Sequence, residues 1–274
     1  MVCKMVKVSV LIPVYNAAAF LEDSIDSILN QTFKDFDLLL LYDCSTDNSE
    51  EIIKKFNDNR IKYYKNEQNL GISGSRNKLM DLAQGEYFAI MDNDDLSLPE
   101  RFAKQVSFLD EHKDVTIVGT WGELFNNVPA KGIYTKIKKI ITNMGWVWRQ
   151  PANVTIKETL RGCTSMHSSM MVRRDDFIKY NIRYNPEYTP AEDYDMIRQV
   201  LTNGLKICNI QEVLFKYHLY GGNFSVKKKQ LMKISDAKVK NDIKKFLQIE
   251  NYKKYPYWLI ILRKLRLKWM LRFI

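Results

Sequence analysis

Apolar runs of strand length alternate with helical patterns over the first 120 residues of the chain. The run Val8–Tyr15 is of the sort found in buried parallel strands, and further strand-length runs span Phe36–Tyr42, Ile61–Tyr64, Tyr87–Met91 and Val115–Val118. After the first run, apolar residues recur at helical spacing: Phe20, Leu21, Ile25, Ile28 and Leu29. Repeated β–α units predict an α/β fold, with a Rossmann-like, mostly parallel sheet and helices on both faces.

Signals for helix ends agree with this assignment. The segment after Ser45 offers capping and acidic first-turn residues, and further helices are predicted over about 73–82 and from Pro99. Beyond Gly119 the alternation stops, and we expect residues 121–165 to be irregular. A later helix is predicted from about Glu192 to Asn203, with Gly204 as its stop.

The formal net charge of +10 comes entirely from the end of the chain. Residues 1–226 contain 27 Lys and Arg against 29 Asp and Glu, whereas residues 227–274 contain 15 against 3. The main body is therefore nearly neutral, and the terminal segment is expected to form basic helices. A basic patch at one terminus indicates contact with an anionic surface, either phospholipid or nucleic acid.

Cysteine, histidine and apolar content exclude several classes of protein. The four cysteines, none of them in a CxxC pair, are Cys3, Cys44, Cys163 and Cys208. Because the chain has only three histidines, a Cys/His zinc site has no support either. Such thiols are expected in a reducing cytosol. The first apolar run contains Pro13, unlike a signal peptide, and Trp258–Leu262 is far shorter than the roughly 20 residues that cross a bilayer. We therefore expect a cytoplasmic protein.

Polar residues follow the predicted strands, at the sheet edge where open α/β folds bind ligands. The densest group is Asp92-Asn-Asp-Asp95, with three carboxylates in four residues after a buried strand. Mg²⁺ or Mn²⁺, commonly held by one or two carboxylates and substrate phosphates, would relieve their repulsion. The alternative is an acidic loop in front of the Pro99 helix. An EF-hand is excluded because Ser97 stands where its loop needs glycine.

Six sequence blocks resemble glycosyltransferase family 2, which has the GT-A fold. They are Ser9-Val-Leu-Ile-Pro-Val-Tyr-Asn16, Asp43-Cys-Ser-Thr-Asp-Asn-Ser49, Asn69 to Asn77, Asp92 to Asp95, His167-Ser-Ser-Met-Met-Val-Arg173 and Ala191-Glu-Asp-Tyr-Asp195. The resemblance covers about residues 6–226 and implies a catalytic domain over 1–226. Its nucleotide-sugar-binding half would be 1–119 and its acceptor-side half 120–226, followed by a basic amphipathic helical tail over 227–274.

The resemblance also implies roles in donor binding. Residues expected to contact the donor or its metal are Pro13, Tyr15 and Asp43 in the nucleoside pocket, Arg76 at the nucleotide, Asp92 near the ribose, and Asp94 on the Mn²⁺ or Mg²⁺ that bridges the diphosphate. The chain departs from the family at Tyr42 and Cys44, where an acidic residue and a glycine are usual. These departures leave the identity of the base open.

Three further residues carry expected roles. Asp193 follows Glu192 as in the family's catalytic pair, so it would be the base that takes the acceptor hydroxyl's proton. The alternative is a helix N-terminus whose acids favour the dipole. His218 resembles a histidine that completes the metal shell in many GT-A enzymes, or is structural. His167 is expected to pack, with an acceptor-site role as the alternative.

These residues predict an inverting glycosyltransferase. It would transfer a hexose or N-acetylhexosamine from a nucleotide-diphosphate sugar, with UDP as the expected nucleotide, to a saccharide or lipid-linked saccharide in cell-surface glycan synthesis. Two other hypotheses stay open: a catalytically inactive sugar-nucleotide-binding protein, and a nucleic-acid-binding protein that uses the basic tail. No zinc-finger or RNP-like block accompanies the tail, so we expect no nucleic-acid partner.

The last residues of the chain predict an amphipathic helix. Apolar side chains recur at near-helical intervals among cations, at Trp258, Leu259, Leu262, Leu265, Trp269 and Phe273. Such a helix can lie in a membrane interface, so we expect peripheral attachment to an anionic surface at the inner face of the cytoplasmic membrane. In the alternative, the same face packs on the catalytic domain or on a second subunit of a homodimer.

Overall fold

The computed structural model describes residues 6–126, 145–219 and 228–249, which are built around one mixed β-sheet. Its strands are β1 Val8–Val14, β2 Phe36–Tyr42, β3 Ile61–Lys65, β4 Tyr87–Ile90, β5 Leu96–Ser97, β6 Val115–Phe125, β7 Val147–Trp148, β8 Asn153–Val154, β9 Met171–Arg173 and β10 Lys206–His218. The helices are α1 Leu21–Leu29, α2 Ser49–Lys55, α3 Gly71–Leu82, α4 Arg101–Glu111, α5 Ile156–Thr159, α6 Arg174–Lys179, α7 Glu192–Thr202 and α8 Lys229–Phe246.

The sheet is mostly parallel. Its main path runs β3-β2-β1-β4-β9-β6-β10-β5, with β7 beside β6 and β8 beside β10. The first four strands of this path are parallel, as are β6 and β10, whereas β9 lies antiparallel between β4 and β6. The predicted α/β class with a mostly parallel sheet is confirmed.

Helices cover both faces because side chains alternate along each strand. In β1, Val8, Val10, Ile12 and Val14 pack with α1, α2 and α4 on one face. Leu11 points to the other face, where it joins apolar residues of α3, α6 and α7. Both faces of the central strands are therefore dry, which explains their continuous apolar sequences.

Strand β6 corrects one sequence prediction. It continues to Phe125, so the expectation of irregular structure over residues 121–165 is wrong for residues 121–125, and also for the short elements β7, β8 and α5. Residues 127–144 of that range lie outside the described residues. β6 pairs with β10 through register shifts at Ile210/Val213 and Val213/Phe215. The extra residues lie in β10, and β6 itself alternates regularly over residues 120–125. Its inward positions there include Thr120 and Gly122, so the sequence lacks the apolar alternation by which a half-buried strand is recognised.

Helices α7 and α8 complete the described structure. α7 ends close to the predicted position, and Gly204 follows it with φ of +74°, a conformation that glycine adopts without strain. α8 packs Val239 and Ile243 against Tyr194 and neighbouring apolar residues. α8 confirms a basic helix in the C-terminal segment, whereas the predicted amphipathic stretch Trp258–Phe273 lies outside the described residues.

Within the described ranges, none of the helices combines the length and the apolar character needed to cross a bilayer.

Candidate active site

The carboxyl ends of β1, β2 and β4 lie along one edge of the sheet, because these neighbouring strands are parallel. They lead into Tyr15, Asp43 and the acidic loop that begins at Asp92. Direct bonds connect this edge: the Asn93 side-chain amide donates to the Pro13 carbonyl oxygen at 2.9 Å. The loops therefore form one continuous surface, as expected for a ligand site in an open α/β sheet.

Arg76 joins the acidic loop to the first turn of α7. Its Nη2 donates to Oδ1 of Asp92 at 2.7 Å, and its Nη1 donates to Oε1 of Glu192 at 2.8 Å. The guanidinium is 7% exposed and lies 5.4 Å from the centre of the Tyr184 ring. One buried cation thus holds two carboxylates at fixed positions, in charge-assisted bonds of the strong kind.

Asp92 is ionised in this arrangement. Burial by itself would raise its pKa, but the Arg76 guanidinium and a hydrogen bond from Ser168 Oγ to Oδ2 at 2.5 Å hold the pKa at about 2. An ionised carboxylate accepts hydrogen bonds and donates none. Asp92 therefore presents a permanent negative charge to its neighbours in the loop.

The charge of Asp92 disfavours ionisation of the next two aspartates, Asp94 and Asp95. Burial, and then the charge of Asp92, raise the pKa of Asp94 to about 7. Asp95 is 1% exposed, accepts the His218 backbone N–H at Oδ1 at 2.8 Å, and has its pKa raised well above the usual range by burial and by Asp94. The loop gathers more negative charge than its protein surroundings neutralise.

This charge distribution fits a divalent cation shared with a ligand. Within the described ranges, no group of three His, Cys, Asp or Glu side chains is arranged to enclose a metal by itself. Mg²⁺ and Mn²⁺ accept such a partial shell, because diphosphate oxygens and water complete it. Asp94 is the partly accessible carboxylate of this loop, and its raised pKa shows that its ionised form lacks a nearby counter-charge.

His218 lies at the end of β10, against the acidic loop. Its ring stacks on Phe125 and meets Phe20 edge-on, with both centroid separations at 4.6 Å. Burial lowers its pKa to about 4, so the imidazole is neutral at physiological pH. A neutral imidazole suits both a metal ligand and an aromatic packing partner, and the metal role of His218 stays a prediction.

Asp193 stands in the first turn of α7, half-buried and directly after Glu192. Burial and the charge of Glu192 raise its pKa to about 7, while Arg76 acts in the opposite direction. Its Oδ1 accepts the backbone N–H of Tyr194 at 2.7 Å. A carboxylate with a pKa near neutrality is suited to proton transfer at that pH.

The predicted nucleoside pocket is built around Asp43. Its Oδ1 accepts the Asn66 side-chain amide at 2.7 Å and the Leu70 backbone N–H at 2.8 Å. Among the described residues nothing bonds to Oδ2, which leaves that oxygen for a donor on a ligand. Tyr15 is 49% exposed beside this pocket.

The two departures from the family pattern have local structural effects. Cys44 has φ of +57°, a left-handed conformation that explains why glycine is usual at this position. The Tyr42 hydroxyl donates to the Ser45 carbonyl oxygen at 2.8 Å and so braces the same loop. The chain keeps the loop shape with residues that fill it differently.

Sequence patterns did not predict the bonds around Arg76. Ser168 lies in a block that carries the family resemblance, but its hydroxyl bond to Asp92 depends on the fold. Tyr184 has no sequence signal at all; it lies beside Arg76 and its hydroxyl is 2.8 Å from Nε2 of His167. His167 is buried, and burial, with Arg76 nearby, lowers its pKa to about 3. Its neutral ring packs in the wall of the site.

Comparison with known proteins identifies the family. Residues 9–180 match the glycosyl transferase family 2 model. An uncharacterized glycosyltransferase of Methanocaldococcus jannaschii is 34% identical over 224 residues, which cover 77% of this chain and 70% of the relative. The Escherichia coli protein WfaP, named UDP-Glc:alpha-D-GlcNAc-diphosphoundecaprenol beta-1,3-glucosyltransferase, is 28% identical over 231 residues, or 84% of each chain.

A solved structure agrees on the fold. S. aureus TarS 1-349 in complex with UDP-GlcNAc superimposes with a TM-score of 0.66 at 19% identity, over 88% of this chain and 71% of the TarS 1-349 chain. The solved structure supports the fold, and the family model and the relatives show that the chain belongs to glycosyl transferase family 2.

Proposed function

We propose that the protein is a metal-dependent, inverting glycosyltransferase that moves a hexose or N-acetylhexosamine from a UDP-sugar to a saccharide acceptor. The observation that carries the proposal is that one guanidinium, that of Arg76, forms ion pairs with both Asp92 and Glu192. It brings the acidic loop, where a diphosphate and its cation would lie, to the turn that carries Asp193. Donor activation and proton removal are the two requirements of direct sugar transfer.

The donor would occupy the edge formed by the ends of β1, β2 and β4. Asp43 Oδ2 would accept a hydrogen bond from the base, with Pro13 and Tyr15 as neighbouring walls. UDP is the nucleotide we favour, since the relative WfaP is named for a UDP-sugar and TarS was solved with one. Arg76 would lie beside the nucleotide, where its charge would attract the diphosphate.

Asp94, with His218 as a second ligand, would hold Mn²⁺ or Mg²⁺. When bound, the cation supplies positive charge to the diphosphate as it leaves. The chain's own contribution is to fix the carboxylates: Ser168 and Arg76 hold Asp92, and the His218 backbone N–H holds Asp95. These groups need no rearrangement during transfer, which is the condition for electrostatic stabilisation.

Asp193 would act as the base. The acceptor hydroxyl oxygen forms a bond to the anomeric carbon while the bond from that carbon to the diphosphate oxygen breaks. The hydroxyl proton passes to the Asp193 carboxylate, and the diphosphate leaves with the electron pair. A single displacement inverts the anomeric centre, so an α-linked donor gives a β-linked product.

The acceptor we propose is a saccharide carried on a lipid in cell-surface glycan synthesis. The support is the name of WfaP, which specifies a sugar on diphosphoundecaprenol, together with the basic C-terminal segment. Such a protein would work in the cytoplasm, at the inner face of the membrane.

The proposal is tested by nucleotide-sugar turnover. Purified protein is incubated with a panel of UDP- and GDP-sugars, with and without Mn²⁺, and with a lipid-diphosphate-linked saccharide as acceptor. We expect Mn²⁺-dependent turnover of a UDP-sugar and a β-linked product by NMR. Asp193→Asn should lose transfer, whereas the matched change Asp26→Asn on the exposed surface of α1 should keep it. Donor binding without turnover would support an inactive binding protein, and the absence of both would reject the proposal.

A further inference from the structure

Helix α8 has a second face that the described protein leaves uncovered. Its packed face consists of Ser235, Val239 and Ile243, spaced four residues apart. The opposite side, here called the outward face, consists of exposed residues at helical spacing: Lys233, Ile234, Ala237, Lys238, Asn241 and Lys245. Ile234 is 62% exposed at the centre of this face. Leu231, three residues before Ile234, is 42% exposed, so lysines flank two protruding apolar side chains.

The acids of α8 lie on the packed side and at its borders. Asp242 is half-buried and accepts the Tyr188 hydroxyl at 2.7 Å, and Asp236 is half-buried as well. The exposed charged residues of α8 are all lysines. Lys238 lies 3.1 Å from Glu187 and Lys245 lies 3.8 Å from Asp242, and exposed pairs of this kind contribute little. Because α8 carries six lysines against two aspartates, its solvent side keeps a net positive charge.

α8 is bonded to the segment that leads into the proposed base. Ser235 Oγ donates to the Thr189 carbonyl oxygen at 3.2 Å, and Val239 and Ile243 pack with Ala191 and Tyr194. The last two residues lie on either side of the Glu192-Asp193 pair. Whatever binds the outward face is thus held close to the base-bearing turn of α7.

We propose that the outward face of α8 binds the headgroups of an anionic membrane. Charge complementarity selects this occupant: three exposed lysines face lipid phosphates, and Ile234 enters the headgroup layer, as in interfacial helices. A second copy of the same face would be repelled by its like charge. The orientation of the protein on the membrane rests on the proposed function, because it assumes that the acceptor is a lipid-linked saccharide that must reach Asp193. The binding itself does not depend on turnover.

The test uses full-length protein and vesicles. Co-sedimentation is measured with phosphatidylcholine vesicles and with vesicles that also contain phosphatidylglycerol, at low and at high salt. We expect binding to the anionic vesicles alone, weakened by salt because screening shortens the reach of charge. Lys233→Gln/Lys238→Gln/Lys245→Gln should weaken partitioning by about fivefold per lysine. Ile234→Ser should weaken it without changing the net charge.

The matched control removes three exposed lysines elsewhere, in Lys54→Gln/Lys113→Gln/Lys206→Gln. It has the same net charge as the α8 triple variant and should keep vesicle binding. Equal binding by the two triple variants, or wild-type protein that ignores anionic vesicles at low salt, overturns the proposal. So does tight binding to single-stranded RNA by protein that ignores anionic vesicles. Nucleotide-sugar turnover in the α8 variant should stay unchanged. Absence of turnover in the wild-type protein would reject the proposed function, whatever the result of the vesicle experiment.

Discussion

Arg76 donates from Nη1 to Oε1 of Glu192 at 2.8 Å, across 116 positions of sequence and between two buried side chains. The other end of the same guanidinium holds Asp92 at 2.7 Å. Asp92 opens the acidic loop, and Glu192 precedes the proposed base. Arg76 therefore sets the spacing between the donor side and the base side of the site.

Arg76→Met should destabilise the protein. It leaves the buried Glu192 without its counter-charge, and loss of one partner of a buried ion pair costs about 3–5 kcal/mol. Arg76→Lys should fall between wild type and Met, because an ammonium cannot bond both carboxylates in the geometry of a guanidinium. Urea unfolding followed by circular dichroism measures the difference. A Met variant as stable as wild type would show that the pair has no structural role.

Transfer should lose rate as the pH falls through about 7. Burial and the charge of Glu192 raise the pKa of Asp193 to about 7, and a base works only when it is ionised. The ionised fraction is nearly complete above that pH and falls about tenfold per unit below it. The pH profile of kcat with saturating donor tests this. A constant rate to well below neutral pH would contradict it.

Glu192→Gln should move that profile to lower pH. The amide keeps an oxygen that can accept from Arg76, but it removes the negative charge that raises the pKa of Asp193. The variant's acid limb should therefore begin at a lower pH than that of wild type. A purely structural role for Glu192 predicts instead a uniform loss of rate with the limb unmoved.

Metal removal should abolish turnover of the nucleotide sugar. The acidic loop already raises the pKa of Asp94 to about 7 through burial and the charge of Asp92, so a diphosphate cannot join it without a cation. EDTA should stop turnover, and added Mn²⁺ or Mg²⁺ should restore it. Asp94→Ala should stay inactive with added metal, whereas full activity of that variant would reject the metal assignment.

The parallel half of the fold could be predicted from its sequence because its buried strands are predominantly apolar along their whole length. The run Phe36–Tyr42 is one example, and the structure gives β2 the same bounds. The long strands β6 and β10 were harder to recognise. In β10 the register shifts near Val213 interrupt the alternation of side chains, whereas in β6 inward positions are taken by Thr120 and Gly122, which are not strongly apolar. Pattern methods depend on a regular period, which such irregularities remove.

The candidate site, like the fold, could be predicted from the sequence only in part. Carboxylates after strands can be found from sequence, because Asp92 and Asp94 follow a recognisable apolar run. The partners that set their charge cannot, because Arg76, Ser168 and Tyr184 meet only after the chain folds. Proton affinity at Asp193 depends on burial and on Glu192 together, and burial is a property of the packed structure.

Asp193→Asn should separate binding from chemistry. The amide has nearly the same shape and cannot accept the acceptor's proton as a carboxylate does, so the variant should fold and bind UDP-sugar with unchanged affinity. Loss of a general base typically lowers the rate by about 10²–10⁴-fold. Calorimetry of donor binding in Mn²⁺ and single-turnover transfer together measure both effects. Weakened binding with a proportionate loss of rate would assign Asp193 to the donor site, and transfer within about tenfold of wild type would place the base elsewhere.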